Sequence, residues 1–161
     1  MKFLICISLL LSMLLYNTQE KMVDTNFIIM IDDELVLGTI ARTSFKIQKN
    51  DGSEERIEFF YEPGLLRLSE SNFEKINSDT VKSVTMVFSS YRQDSIEVGA
   101  DEYELDFDRR WFFERYTVLK LYNLDKKKYK KILYPLDDNR NYTFDVYTSN
   151  PMTSINRIRK S

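Results

Sequence analysis

The chain has 161 residues, a formal net charge of −2 and no histidine, and its one cysteine is Cys6. A mature chain starting near Glu20 therefore excludes disulfide frameworks, the usual His/Cys sites for zinc, copper and haem, and every Ser-His, Cys-His or His-acid catalytic arrangement. With 4 glycines, 3 prolines, 43% apolar and 14% aromatic residues, the composition is that of one domain with its own core and not of a disordered chain.

Lys2 is followed by Phe3 to Leu15, an uncharged run whose polar breaks are Ser8 and Ser12. A charged start before an apolar core too short to span a bilayer is the pattern of a secretory signal. Residues 1–19 are expected to be a signal peptide and residues 20–161 one domain, exported and periplasmic or secreted. Cys6 lies inside the apolar core and not at its end, which argues against a lipoprotein. An uncleaved interfacial anchor is the alternative.

Asn26 to Ile31 is a short apolar run closed by Asp32-Asp33, and Leu35 to Ile40 follows. Phe45-Lys46-Ile47 alternates into Asn50-Asp51-Gly52-Ser53, and Ile57 to Tyr61 lies beyond it. An Asp-Gly turn between two such runs predicts a hairpin. Pro63-Gly64 ends that unit. Ser69 to Ile76 is the expected helix, with Ser71 as cap, Glu74 three residues on as in a capping box, and Phe73 and Ile76 on one face. Val81 to Tyr91 and Tyr103 to Phe107 read as strands. Arg109 to Glu114 fits a short helical turn or a strand.

Tyr116 to Tyr122 is β-branched and aromatic, with Thr117, Leu119 and Leu121 on one face. Leu124 to Lys128 predicts the tip of a β-ribbon whose second strand, Tyr129 to Tyr134, stops before Pro135. Asp137 to Asn141 has turn composition, and Tyr142 to Tyr147 alternates until Asn150-Pro151 breaks it. The spacing of Leu136, Tyr142, Phe144 and Val146 resembles the corner before the penultimate strand of fibronectin type III and immunoglobulin-like domains. That resemblance implies Leu136 and Tyr142 as a structural corner, the tyrosine hydroxyl bonding to upstream backbone, and Met152 to Arg159 as the closing strand. It extends to no functional family. Nine or ten strands with one minor helix predict an all-β fold, a single antiparallel β-sandwich.

Charge is unevenly distributed. Residues 20–108 hold 9 basic and 20 acidic side chains, whereas residues 109–161 hold 13 basic and 5 acidic. Either the domain has faces of opposite sign, or strands from the two halves interleave and the charges mix. Glu102, Glu104, Asp106 and Asp108 alternate with Tyr103, Leu105 and Phe107, which puts four carboxylates on one face of a strand. They are the calcium candidates, short of loop oxygens, and otherwise a solvated face. Two of them could flank a glycosidic bond. Lys126, Lys127, Lys128, Lys130 and Lys131 could meet phosphate or anionic headgroups, or guard a strand edge against aggregation. Asn141-Tyr142-Thr143 is a glycan acceptor pattern in a eukaryotic secretory pathway.

These exclusions point to a non-catalytic exported β-domain that binds another protein, such as an envelope adaptor or an immunity-type binder. The alternatives are a carrier of a small apolar ligand, requiring an enclosed cavity, and a hydrolase using Asp and Glu alone, requiring converging carboxylates of separated pKa. No catalytic residue and no cofactor is expected. Nor is a nucleic-acid partner, and membrane contact is expected only through the leader if it stays uncleaved.

Overall fold

The computed structural model describes residues 20–38, 40–91, 100–136, 139–157 and 159–160. The expected signal peptide and Cys6 lie outside the described residues, as do Asp137 and Asp138. The fold is mostly β. In chain order the strands are β1 (Met22–Ile31), β2 (Glu34–Leu35), β3 (Ile40–Lys49), β4 (Glu54–Glu58), β5 (Phe60–Glu62), β6 (Gly64–Ser69), β7 (Val81–Tyr91), β8 (Ala100–Asp106), β9 (Thr117–Asn123) and β10 (Tyr142–Thr148). They form two sheets. One has the order β10-β9-β1-β6-β5, with β2 paired to the end of β1, and the other has the order β4-β3-β7-β8.

Local chemistry accounts for the turns. Asp32 and Asp33 both have positive φ, 57° and 70°, so they make the two-residue turn that brings Ile31 opposite Glu34; aspartate tolerates this conformation better than most residues. Gly52, at φ 84°, closes the β3–β4 hairpin at the expected Asp-Gly, and Asp51 Oδ1 accepts from the Ser53 amide at 2.9 Å. The helix Glu70–Asn77 begins directly after β6 and is capped by Ser69, whose hydroxyl accepts from the Asn72 amide. Ser71, the expected cap, lies inside the first turn, because β6 runs as far as Ser69 and leaves no spacer.

One buried cluster draws on both sheets. Phe27, Ile29, Leu66, Leu119, Leu121 and Phe144 come from the first, and Phe45, Ile47, Met86, Phe88 and Leu105 from the second. Each large apolar side chain withdrawn from water contributes about 1.5–3 kcal/mol. Phe107 lies at the centre, with ring centroids 4.8 Å from Phe45, 5.0 Å from Trp111 and 6.0 Å from Phe27. Trp111, fully buried, donates from Nε1 to Thr153 O at 2.8 Å. That bond ties the 3-10 turn Arg109–Phe113 to a second 3-10 turn, Pro151–Thr153.

Four expectations are corrected. The β-ribbon does not form: Lys127–Lys130 is a helical turn, the Leu133 amide bonds back to Tyr129 O, and the β-pairing of Leu133 is an isolated bridge to Arg159. Tyr129 and Leu133, four apart, share a helical face as readily as a strand face, and both are buried beside Tyr122 and Leu124. Met152 to Arg159 is not a strand but a 3-10 turn followed by isolated bridges at Ile155 and Arg159. The pairing is not wholly antiparallel, since β1 and β9 run parallel from Phe27↔Thr117 to Ile31↔Leu121. The long excursion through the second sheet supplies the crossover a parallel pair needs. Finally, β6 continues where Pro63-Gly64 was expected to end the unit. Gly64, at φ 90°, turns the chain so that Glu62 pairs with Leu65.

The charge-rich halves do not interleave. The sheet β4-β3-β7-β8 comes wholly from the acidic half, while β9 and β10, from the basic half, lie together at one edge of the other sheet.

Candidate functional site

The acidic run lies mostly on β8. Tyr103 and Leu105 are buried, while Glu102, Glu104 and Asp106 point the other way, as alternation requires. The carboxylates do not converge. Glu104 pairs with Lys46 at 3.0 Å. Asp108 lies beyond the strand, where it caps the 3-10 turn and binds the Arg110 guanidinium. The Arg110 hydrogen bonds hold the Asp108 carboxyl below its usual range. Among the described residues no group of three or more His, Cys, Asp or Glu side chains could hold a metal ion.

Leu136 packs half-buried against the core. The Tyr142 hydroxyl donates to Glu104 O at 2.7 Å and accepts from Glu104 N at 2.8 Å. Its ring meets Tyr103 edge-on at 5.1 Å, and Arg140 Nη1 donates to the same Glu104 carbonyl at 2.6 Å. The residue therefore joins β10 of one sheet to β8 of the other. A cavity of about 150 Å³ lies beside it, lined by Ala100, Asp101, Glu102, Tyr103, Asn123, Asn141 and Tyr142. That is smaller than the roughly 300–1,000 Å³ typical of small-molecule sites.

The sequence reading missed a buried polar cluster on the far face of β9 and β10. Asp145 is fully buried. Its Oδ2 accepts from Arg159 Nη2 at 2.5 Å and Tyr122 Oη at 3.2 Å, and its Oδ1 accepts from the Arg157 amide at 2.8 Å. These bonds hold Arg157 and Arg159 against β10, where Ile155 and Val146 exchange two backbone hydrogen bonds. Burial, then the charge of Asp145, pushes the Tyr122 phenol up, and burial with the Asp33 bond does the same to Tyr129. Beside Asp145 on this face, the buried Thr143 hydroxyl has no hydrogen-bond partner among the described residues. Alternation alone makes Asp145 look solvent-facing. The signal that could have exposed it is the pair Arg157 and Arg159 in the tail.

Two ends of β9 carry exposed apolar side chains. Before the strand, Phe113 is 70% exposed and Met152 86% exposed, with Tyr116 also exposed. The segments bearing them are tied together: Glu114 Oε1 accepts from Thr153 Oγ1 at 2.7 Å, and the Ser149 amide donates to Tyr116 O at 3.3 Å. Hydrogen bonds from Ser149 and Thr153 hold the Glu114 carboxyl below its usual range. After the strand come the lysines of residues 126–131, with Ile132 and Tyr134. No helix among the described residues is long and apolar enough to cross a membrane.

No protein-family model, curated protein sequence or solved structure matches the chain. What its own geometry defines is a mostly β chain of two sheets sharing a buried core, with exposed apolar side chains both on strands, as at Phe60, and on the segments at the two ends of β9.

Proposed function

We propose that the chain is an exported, non-catalytic β-sandwich that binds another protein through the Phe113–Tyr116–Met152 surface. The observation that carries this reading is the exposure of three large apolar side chains on segments pinned by Trp111, Glu114 and Ser149. A firm frame presenting rings and a thioether lowers the ordering cost of association, and aromatic and methionine side chains are over-represented at interface cores. The hydrolase alternative has less support. Among the described residues the carboxyl groups whose titration is displaced (Glu20, Asp51, Glu55, Asp108 and Glu114) all move down, whereas a general acid at neutral pH needs one raised. The apolar-carrier alternative requires a cavity larger and less polar than the one beside Tyr142.

The test is capture by the tagged chain from an envelope fraction, run beside Phe113→Ser/Met152→Ser. A protein retained by the parent and lost with the double variant, at unchanged circular dichroism, supports the reading. Equal retention by both would remove this surface. Turnover of any ester, peptide or glycoside by the purified chain would restore the hydrolase.

A further inference from the structure

The lysine-rich segment after β9 is not itself a strand edge. Both flanks of β9 are occupied, by β1 and β10, and Lys127–Lys130 is helical. Tyr129 is its buried anchor: the ring packs 5.1 Å from Tyr122 and the hydroxyl donates to Asp33 Oδ2 at 2.7 Å. With Tyr129 inward, Lys127, Lys128 and Lys130 are turned out to solvent. Lys126 pairs with Asp32 at 2.8 Å and Lys128 reaches Asp33 at 3.7 Å. These contacts clamp the segment to the β1–β2 turn and cancel two of its charges. Among the described residues no carboxylate pairs with Lys127, Lys130 or Lys131. Lys160 adds a fourth ammonium nearby, donating to Lys130 O at 2.8 Å and lying 5.0 Å from the centre of the Tyr134 ring. Among the described residues the other acidic neighbours are Glu34, which is exposed, and Asp125, which accepts from Asn141 at 2.9 Å.

Apolar side chains are interleaved with these cations. Ile132 is 48% and Tyr134 54% exposed, and Leu35 on β2 and Leu37 just after it are exposed as well. Such a surface is satisfied by a partner that is anionic and apolar within one side-chain length. Compact ammonium groups on separate flexible stems suit a diffuse field of phosphates, whereas a single bound phosphate is better held by arginine forks or converging backbone amides. A tyrosine beside lysines and aliphatics is also the composition of a bilayer's headgroup zone.

We propose that this end of the molecule docks on an anionic lipid bilayer, with Ile132 and Tyr134 entering the headgroup region and Lys127, Lys130 and Lys131 meeting lipid phosphates. This departs from the expectation that membrane contact runs only through the leader. It is also independent of the Phe113–Met152 surface, which lies at the opposite end of β9, roughly 20 Å away along the strand.

The probe is a tryptophan placed at the surface. Trp111 is the chain's one tryptophan and is fully buried, so it serves as a protected reference and the leader contributes no signal. Full-length chain carrying Tyr134→Trp is titrated with phosphatidylcholine vesicles, with or without phosphatidylglycerol, containing brominated acyl chains. The introduced indole is expected to be quenched by the anionic vesicles, less so as salt is raised, while one introduced by Met152→Trp is not. Lys127→Gln/Lys130→Gln/Lys131→Gln is expected to weaken binding on the order of 100-fold, from about fivefold per lysine at an anionic surface. Equal quenching by both vesicle types, quenching at position 152 in place of 134, or an unaffected triple variant with native circular dichroism overturns the proposal. So does binding of soluble polyglutamate without vesicle quenching, which would assign the surface to an acidic protein.

Discussion

Tyr142→Phe removes one oxygen and leaves the ring in place. The hydroxyl holds both polar groups of the Glu104 backbone, at 2.7 Å and 2.8 Å. Without it the carbonyl keeps Arg140 at 2.6 Å, and the amide loses its bond. Glu104 lies on β8, the last strand of its sheet, so no further strand takes up that amide. An orphaned donor costs about 1–3 kcal/mol, and the edge-on packing on Tyr103 is unchanged by the substitution. We expect a loss of about 2 kcal/mol, which is roughly 4–8 °C in Tm for a domain of this size. Differential scanning calorimetry at neutral pH measures it, with Tyr147→Phe as a comparison, since that hydroxyl reaches Asp145 only at 3.4 Å. A Tm within about 1 °C of the parent would refute the reasoning that this hydroxyl couples the two sheets.

Three further outcomes are expected. Arg159→Ala leaves the buried Asp145 carboxylate without its cation and costs about 2–3 kcal/mol, below the range for a fully buried pair because Arg159 itself is exposed; urea denaturation measures it, and an unchanged midpoint would count against the tail being held there. Thr143→Val replaces the unpartnered buried hydroxyl with a methyl and is expected to stabilise by up to about 1 kcal/mol; a lower melting temperature would show that the hydroxyl has a partner. Folding raises the pKa of Tyr122 and Tyr129 above the unfolded value, so it favours the neutral phenols. Their contribution is fully present below about pH 10 and is lost as pH rises beyond it. Ultraviolet titration should show both ionising only with unfolding, and early reversible ionisation with retained circular dichroism would contradict this.

Much of the second sheet was legible because its signals are local. Asp51-Gly52 fixed the β3–β4 hairpin, and Val81 to Tyr91 is long enough to read as a strand without its neighbours. The segment Tyr129 to Tyr134 was not legible because Tyr129 and Leu133 satisfy strand and helix periods alike. What decided between them was the buried surface offered by Tyr122 and Leu124 and the Asp33 carboxylate, 96 residues away from Tyr129 in sequence. Asp145 failed for a related reason. A strand pattern says which side chains share a face, and only the later chain, here Leu133 and the arginines of the tail, says whether that face stays wet. Tyr142 was singled out from a spacing, but its partner on β8 lies 38 residues upstream, beyond the reach of any turn motif.

The parallel pairing of β1 with β9 sets an order of assembly. A chain emerging N-terminus first can match Met22–Phe27 with β6 once Ser69 is available, but the other flank of β1 must wait for Thr117–Leu121. Throughout that interval a ten-residue strand offers bare amides and carbonyls to whatever it meets, a recognised route to aggregation and to slow folding. Premature release from the ribosome between the end of β8 at Asp106 and the start of β9 at Thr117 would yield a product with one sheet able to close and the other left open.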